Sequence, residues 1–156
     1  MLRYTKKGIE SKERIGTLPL RMSSLLRYRG VNTPEEAERF LHPRLTDLLD
    51  PFSMPGMEKA VSIIRQAVRE QWGITIYGDY DVDGICATSI MLETLRDLGA
   101  QHVRPYIPSR HEEGYGLNAD AMELLAKESR LLLTVDCGIT NLDEVALAKK
   151  LSLIHI

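Results

Sequence analysis

Four carboxylates, at Asp79, Asp81, Asp83 and Asp136, are the residues of this chain whose type and spacing point to chemistry. The first three alternate within the run Tyr77-Gly78-Asp79-Tyr80-Asp81-Val82-Asp83-Gly84. Like charges that close repel and cost stability unless something positive sits between them. Oxygen-only ligand sets suit the hard cations Mg²⁺ and Mn²⁺. Asp136, in Val135-Asp136-Cys137-Gly138, is placed to share such an ion. The plainer reading is a solvated turn, because Asp and Gly favour turns on their own account. Against it, both acidic turns follow short apolar runs, Ile74 to Tyr77 and Leu131 to Val135. An EF-hand loop does not fit, since the downstream Glu and the flanking helix pair are missing.

The elements that must position these groups follow from periodicity. Met57, Val61, Ile64 and Val68 recur at helical spacing, and Gly73 is expected to end that helix. Ile74 to Tyr77 reads as a buried strand, Asp79 to Gly84 as a tight loop, and Ile85 to Leu98 as a helix closed by Gly99. The cycle repeats twice. Val103 to Ile107 is a strand that Pro105 demotes to an edge, followed by a glycine-rich loop and a helix capped by Asn118. Leu131 to Val135 is a strand leading to a helix that Asn141 caps, with Glu144 in the box position. Strands alternating with helices imply right-handed crossovers and a mainly parallel sheet, so the fold class is α/β. Ligands in such sheets bind outside the carboxyl ends of the strands, where both acidic turns fall. Ahead of this lies a small helical lead-in. Leu18 to Arg29 forms one helix, and Thr33-Pro34-Glu35-Glu36 starts another that runs to about Leu41. A proline-punctuated connector, Pro43 to Gly56, joins the two parts, and the first 17 residues read as basic and irregular.

Composition narrows the class. The 156 residues are 44% hydrophobic and 27% charged, ordinary for a globular protein able to bury a core. A net charge of −2 excludes a global basic field of the kind that grips nucleic acid nonspecifically. Cys86 and Cys137 have no metal-binding spacing and suggest a reducing compartment. Neither a signal-peptide core nor a run of roughly 20 apolar residues is present, so the expected location is the cytoplasm. His102 and His111 have no partner visible in sequence.

Tyr77 to Gly84 resembles the first motif of the DHH phosphoesterase family, in the form used by its single-stranded-DNA exonuclease branch. Thr134 to Ile139 resembles the second motif. Pro108-Ser109-Arg110 with Glu113-Gly114-Tyr115-Gly116-Leu117-Asn118 is similar to a segment between those two. The lead-in, Arg29-Gly30-Val31 with Thr33 to Ala37 and Phe40-Leu41, also resembles that branch rather than the smaller members. The likeness covers residues 25 to 150. It implies that Asp81, Asp83 and Asp136 are catalytic metal ligands and that Asp79 is a further ligand or an orienting carboxylate. It also implies two Mn²⁺ or Mg²⁺ ions and phosphodiester hydrolysis of single-stranded DNA from the 5′ end. Arg110 is the candidate phosphate contact, against a plain surface arginine. Tyr115 either stacks on a base or packs the loop, and Gly114 and Gly116 allow tight turns near substrate. Cys137 reads as a small buried filler rather than a nucleophile.

The Asp-His-His triplet that gives the family its name is not in this sequence. On that ground the chain is expected to be the front part of an exonuclease, inactive by itself. The expected domains are a lead-in and connector over 1–56, a partial phosphoesterase domain over 57–150 and a non-native tail over 151–156. Leu151-Ser152-Leu153-Ile154-His155-Ile156 resembles the translation of a transposon-end sequencing adaptor and is expected to be its read-through, the alternative being a genuine strand start. His155 is not taken as a stand-in for the triplet. Rival readings are a nanoRNA or cyclic-dinucleotide phosphodiesterase, a haloacid-dehalogenase-like phosphatase with Asp81 as nucleophile, and a non-catalytic metal- or nucleotide-binding module.

Overall fold

All four side chains of Ile74–Tyr77, the strand β1, are buried, and their alternation builds two different cores. Successive strand residues face opposite sides of a sheet. Ile74 and Ile76 therefore join Leu131 and Leu133 on one face, while Tyr77 joins Leu132 on the other. The first face is covered by Ala67 of α3 (Met57–Arg69) and Leu95 of α4 (Val82–Asp97). The second is covered by Ala121, Met122 and Leu125 of α5 (Ala119–Leu125) and Ala148 of α6 (Leu142–Lys150). Burying each leucine or isoleucine contributes roughly 1.5–3 kcal/mol, so the strands are held mainly by these two faces.

The computed structural model describes residues 13–156. Its four strands, β1, β2 (Val103–Tyr106), β3 (Leu131–Thr134) and β4 (Ile154–His155), lie in the order β2-β1-β3-β4. Every pairing is parallel, with Ile74 opposite both Val103 and Leu131. The class is α/β, as the alternation implies, and Pro105 lies in edge strand β2. From β1 the chain crosses to β2 on one side. It then returns past β1 to reach β3 on the other, which makes the crevice between β1 and β3 the point where strand order reverses. Crevices of that kind are where open parallel sheets bind ligands.

Two compact units divide between Ser53 and Met54. In the first, α1 (Leu20–Tyr28) and α2 (Pro34–Leu41) enclose a small core of Ile15, Leu26 and Ala37. The capping box at α2 forms as expected, with Thr33 Oγ1 accepting from the Glu36 amide and the Glu36 carboxylate accepting from the Thr33 amide.

Several boundaries differ from the periodicity. Helix α4 starts at Val82 and not Ile85, because the Asp81 carboxylate accepts from the amides of Asp83 and Gly84 and so caps it. Helix α3 ends at Arg69, before Gly73: Gln71 takes a φ of 53° and the Trp72 amide turns back to the Ala67 carbonyl. Asn141 precedes α6 but makes no cap. Its amide nitrogen donates instead to the Leu117 carbonyl and the Glu144 carboxylate. Residues 151–156 are seated in the sheet: Leu153 is buried in the second core, and Ile154 and His155 pair with Leu131 and Leu132.

Candidate metal centre

Each carboxylate is delivered by the end of an inner strand. After β1 the backbone turns at Gly78, whose amide donates to the Tyr106 carbonyl. A side chain at Gly78 would meet the buried Thr88 hydroxyl, so only glycine allows α4 this close to the strand end. Asp79 follows, almost fully buried, with one carboxylate oxygen accepting from the Tyr80 amide at 2.7 Å. Asp81 is exposed but fixed, since the cap bonds of 2.9 and 3.0 Å both use one oxygen and leave the other free. Beyond β3 the Val135 amide donates to the Tyr77 carbonyl, and Asp136 takes a left-handed φ of 58°. That conformation is uncommon outside glycine, though Asp and Asn tolerate it best.

Among the described residues, Asp79, Asp81 and Asp136 offer carboxylate oxygens that all lie within 4.8 Å of one another. Asp83 is not in that group. It stands in the first turn of α4, exposed, yet near enough for its charge to be felt at Asp136. Partial loss of water and then the charges of Asp81, Asp83 and Asp79 hold the Asp136 carboxyl above its usual range. The donor set is all oxygen, anionic and mutually repelling, which fits a hard divalent cation and disfavours an empty cradle. Mg²⁺ or Mn²⁺ suits it by ligand type.

Of the other residues singled out from sequence, Arg110 lies with its guanidinium 5.4 Å from the centre of the Tyr80 ring, within the acidic loop. Tyr115 is 62% exposed, and its hydroxyl donates to the Asp136 carbonyl at 3.4 Å. It therefore stands at the rim rather than inside a core. Gly114 and Gly116 have φ of 78° and 85°, and a Cβ at Gly116 would press on the Asn141 amide at 2.7 Å. Cys137 is half-buried, its thiol against the Tyr77 carbonyl and pushed up to about 11 by burial and by the charges of Asp79 and Asp136. That thiol is not an activated nucleophile. Sequence reasoning missed Glu113, Tyr106 and Tyr77 as functional neighbours. The bonds of Glu113 close a loop of irregular spacing, and those of Tyr77 reach Gly116 and Asn118 far along the chain, so no spacing rule marks either.

The site is a carboxylate cluster at the carboxyl ends of two inner strands of a parallel α/β sheet, a donor set of the type that suits a divalent ion. The chain belongs to the DHH family: it matches the family's N-terminal domain over residues 73–156. It is 46% identical over 142 residues to the single-stranded-DNA-specific exonuclease RecJ of Bacillus subtilis (strain 168), covering 90% of this chain and 18% of that protein. It is 34% identical over 141 residues to RecJ of Escherichia coli (strain K12), covering 87% and 24%. A crystal structure of exonuclease RecJ bound to manganese superposes with a TM-score of 0.62 at 38% identity, over 65% of this chain and 26% of that one. The crystal structure of RecJ from Thermus thermophilus in complex with Mn²⁺ also gives 0.62, at 30% identity over 86% and 18%. The chain thus spans about a fifth of the length of the curated relatives it matches. Membership of this family sets aside the dehalogenase-like reading, in which Asp81 would be a covalent nucleophile.

Proposed function

We propose that this chain is the front part of a single-stranded-DNA exonuclease that hydrolyses phosphodiesters from the 5′ end with two divalent ions, Mn²⁺ or Mg²⁺. The observation that carries the reading is the convergence of Asp79, Asp81 and Asp136 where the sheet order reverses. Those three carboxylates would hold one ion, and Asp83, facing the same space electrostatically, would help hold the other. Bound there, the ions would polarise the scissile phosphate and make a water nucleophilic at neutral pH.

The chain's own residues perform the remaining work. The helix cap fixes Asp81 before any ion arrives, so little ordering is left for the moment of binding. Arg110, held over Tyr80, offers a planar fork to a phosphate at the rim. Tyr115 presents an exposed ring on which a base can stack. Single-stranded DNA is the proposed substrate because the relatives are named for it and because an unpaired base leaves its face open to such a ring. DNA repair and recombination are the processes such an enzyme would serve. No helix among the described residues is long and apolar enough to cross a membrane. Two free cysteines accord with a reducing cytoplasm.

By itself the chain is proposed to be inactive, because three or four carboxylates supply too few ligands for two ions. The test is digestion of 5′-labelled single-stranded DNA with Mn²⁺, comparing this chain with a longer version recovered from the same source. Cutting by the longer protein alone, abolished by Asp81→Ala, is the expected result. Cutting by these 156 residues unaided would show that the Asp-His-His triplet is dispensable.

A further inference from the structure

The loop from Pro108 to Gly116 has no helix or strand of its own beyond turns, yet it carries both rim residues, Arg110 and Tyr115. One side chain, that of Glu113, makes three of the hydrogen bonds that shape it. One carboxylate oxygen of Glu113 accepts from the Tyr106 hydroxyl at 2.5 Å and from the Asn118 amide at 2.9 Å. The other accepts from the Ser109 backbone amide at 2.7 Å. Tyr106 is the last residue of β2 and Asn118 caps α5, so Glu113 ties both ends of the loop to regular structure. A second tie runs from the buried Tyr77 hydroxyl, which donates to the Gly116 carbonyl at 2.9 Å and accepts from the same Asn118 amide. Tyr77 directly precedes the acidic loop and stacks on Tyr106 with ring centres 5.0 Å apart.

We propose that Glu113 is a positioning residue for the metal centre: by tying Ser109, Tyr106 and Asn118 together it holds Arg110 and Tyr115 on the rim of the acidic cluster. The inference rests on the reading of Asp79, Asp81 and Asp136 as a metal site. A loop needing only to be filled would take an apolar residue. A carboxylate with three donors fixes orientation as well as place, and charge-assisted bonds of this kind are the strong ones. Burial works against ionisation of Glu113, but the bonds from Tyr106, Ser109 and Asn118 outweigh it and hold the carboxyl below its usual range. The Tyr106 hydroxyl is pushed up to about 12 by burial and by Glu113 and so remains a donor. The link to the cluster is made at two points, Arg110 over the Tyr80 ring and the Tyr115 hydroxyl on the Asp136 carbonyl.

Tb³⁺, a luminescent trivalent ion that enters oxygen-rich sites and is sensitised by a nearby tyrosine, supplies the test on this chain. The titrations use a Tyr80→Phe background, which removes the other phenol beside the carboxylates. That protein should give sensitised emission, and adding Tyr115→Phe should lower it several-fold at saturation without loss of Tb³⁺ affinity. Glu113→Ala should reproduce the effect of Tyr115→Phe, with affinity again retained, because it lets Tyr115 swing away while the carboxylates stay. Tyr106→Phe, which removes one donor and keeps the ring, should give a smaller drop and serves if Glu113→Ala does not fold. Full emission in folded Glu113→Ala, or in Tyr106→Phe where Glu113→Ala does not fold, overturns the positioning role, as does full emission in Tyr115→Phe. Loss of affinity together with emission in Glu113→Ala also overturns it, since Glu113 would then support the cradle and not the loop. Failure of the wild type to bind Tb³⁺ is a different result: it removes the metal site itself, and this inference with it.

Discussion

Gly84 packs against the backbone of Asp79, and a Cβ built at Gly84 would lie 2.5 Å from the Asp79 carbonyl oxygen. The first turn of α4 and the buried Asp79 therefore press on one another, and the absence of a side chain at Gly84 sets where Asp79 sits. Gly84→Ala should force Asp79 and the helix apart. Overpacking at such a contact costs about 1–3 kcal/mol of stability. Displacing a group that orients metal ligands weakens binding by about 10–100-fold. Thermal unfolding and Mn²⁺ titration read the two effects separately, and unchanged Mn²⁺ affinity would mean that Asp79 does not depend on this contact.

Asp136→Asn tests the cost of the cluster. In the metal-free chain, Asp136 loses water and faces the charges of Asp81, Asp83 and Asp79. Removing its charge relieves that repulsion, and asparagine tolerates the left-handed φ of 58° at this position. The variant should melt higher than wild type without metal at neutral pH, and should gain nothing from added Mn²⁺. A lower melting temperature in the absence of metal would show that the charge is already compensated.

A pH effect is expected away from the site. Burial, then the charge of Lys149, hold His155 below its ordinary value of 6.5, while the ring lies 3.1 Å from the Thr134 hydroxyl. A histidine with a depressed folded pKa favours the folded state in its neutral form. Its contribution is complete above pH 6.5 and is lost as pH falls through the lower folded value. His155→Gln keeps a group able to bond Thr134 without the charge. It should flatten the decline in unfolding free energy on the acid side of pH 6.5, measured by denaturant titration at several pH values.

Leu153 gives a measure of what residues 151–156 contribute. It is 2% exposed in the second core, beside Leu132 and Ala148. Leu153→Ala should cost about 2–5 kcal/mol, as other large-to-small core substitutions do. Whether these six residues arose by adaptor read-through is a separate proposal, tested on the source DNA. Codons other than those of the adaptor, or a genomic match across the junction, would rule it out.

The sheet and its acidic turns were legible because burial leaves a local trace. Ile74 to Tyr77 and Leu131 to Thr134 are apolar runs of strand length, and each is followed at once by an aspartate turn. The start of α4 was misplaced because Asp81 serves two purposes. Its carboxylate looks like a ligand in a loop, while the backbone after it is already helical. Asn141 misled for the opposite reason: it has the residue type and position of a cap, but a tertiary partner, the Leu117 carbonyl, takes its amide. Glu113, Tyr77 and Asn118 were illegible as a unit. Their bonds join residues up to 41 positions apart, and that pairing exists only once β1, β2 and α5 are side by side.

The placement of the cradle on β1 and β3 has a consequence for how the fold can vary. Among the described residues these are the two inner strands, each hydrogen-bonded on both sides, while β2 and β4 lie outside them. Opening a sheet by thermal fluctuation begins at its margins, where fewer bonds must break. The carboxylates thus hang from the two strands whose amide hydrogens are expected to exchange last among the four. A substitution that loosens β2 or β4 is therefore expected to leave the geometry between Asp79, Asp81 and Asp136 in place.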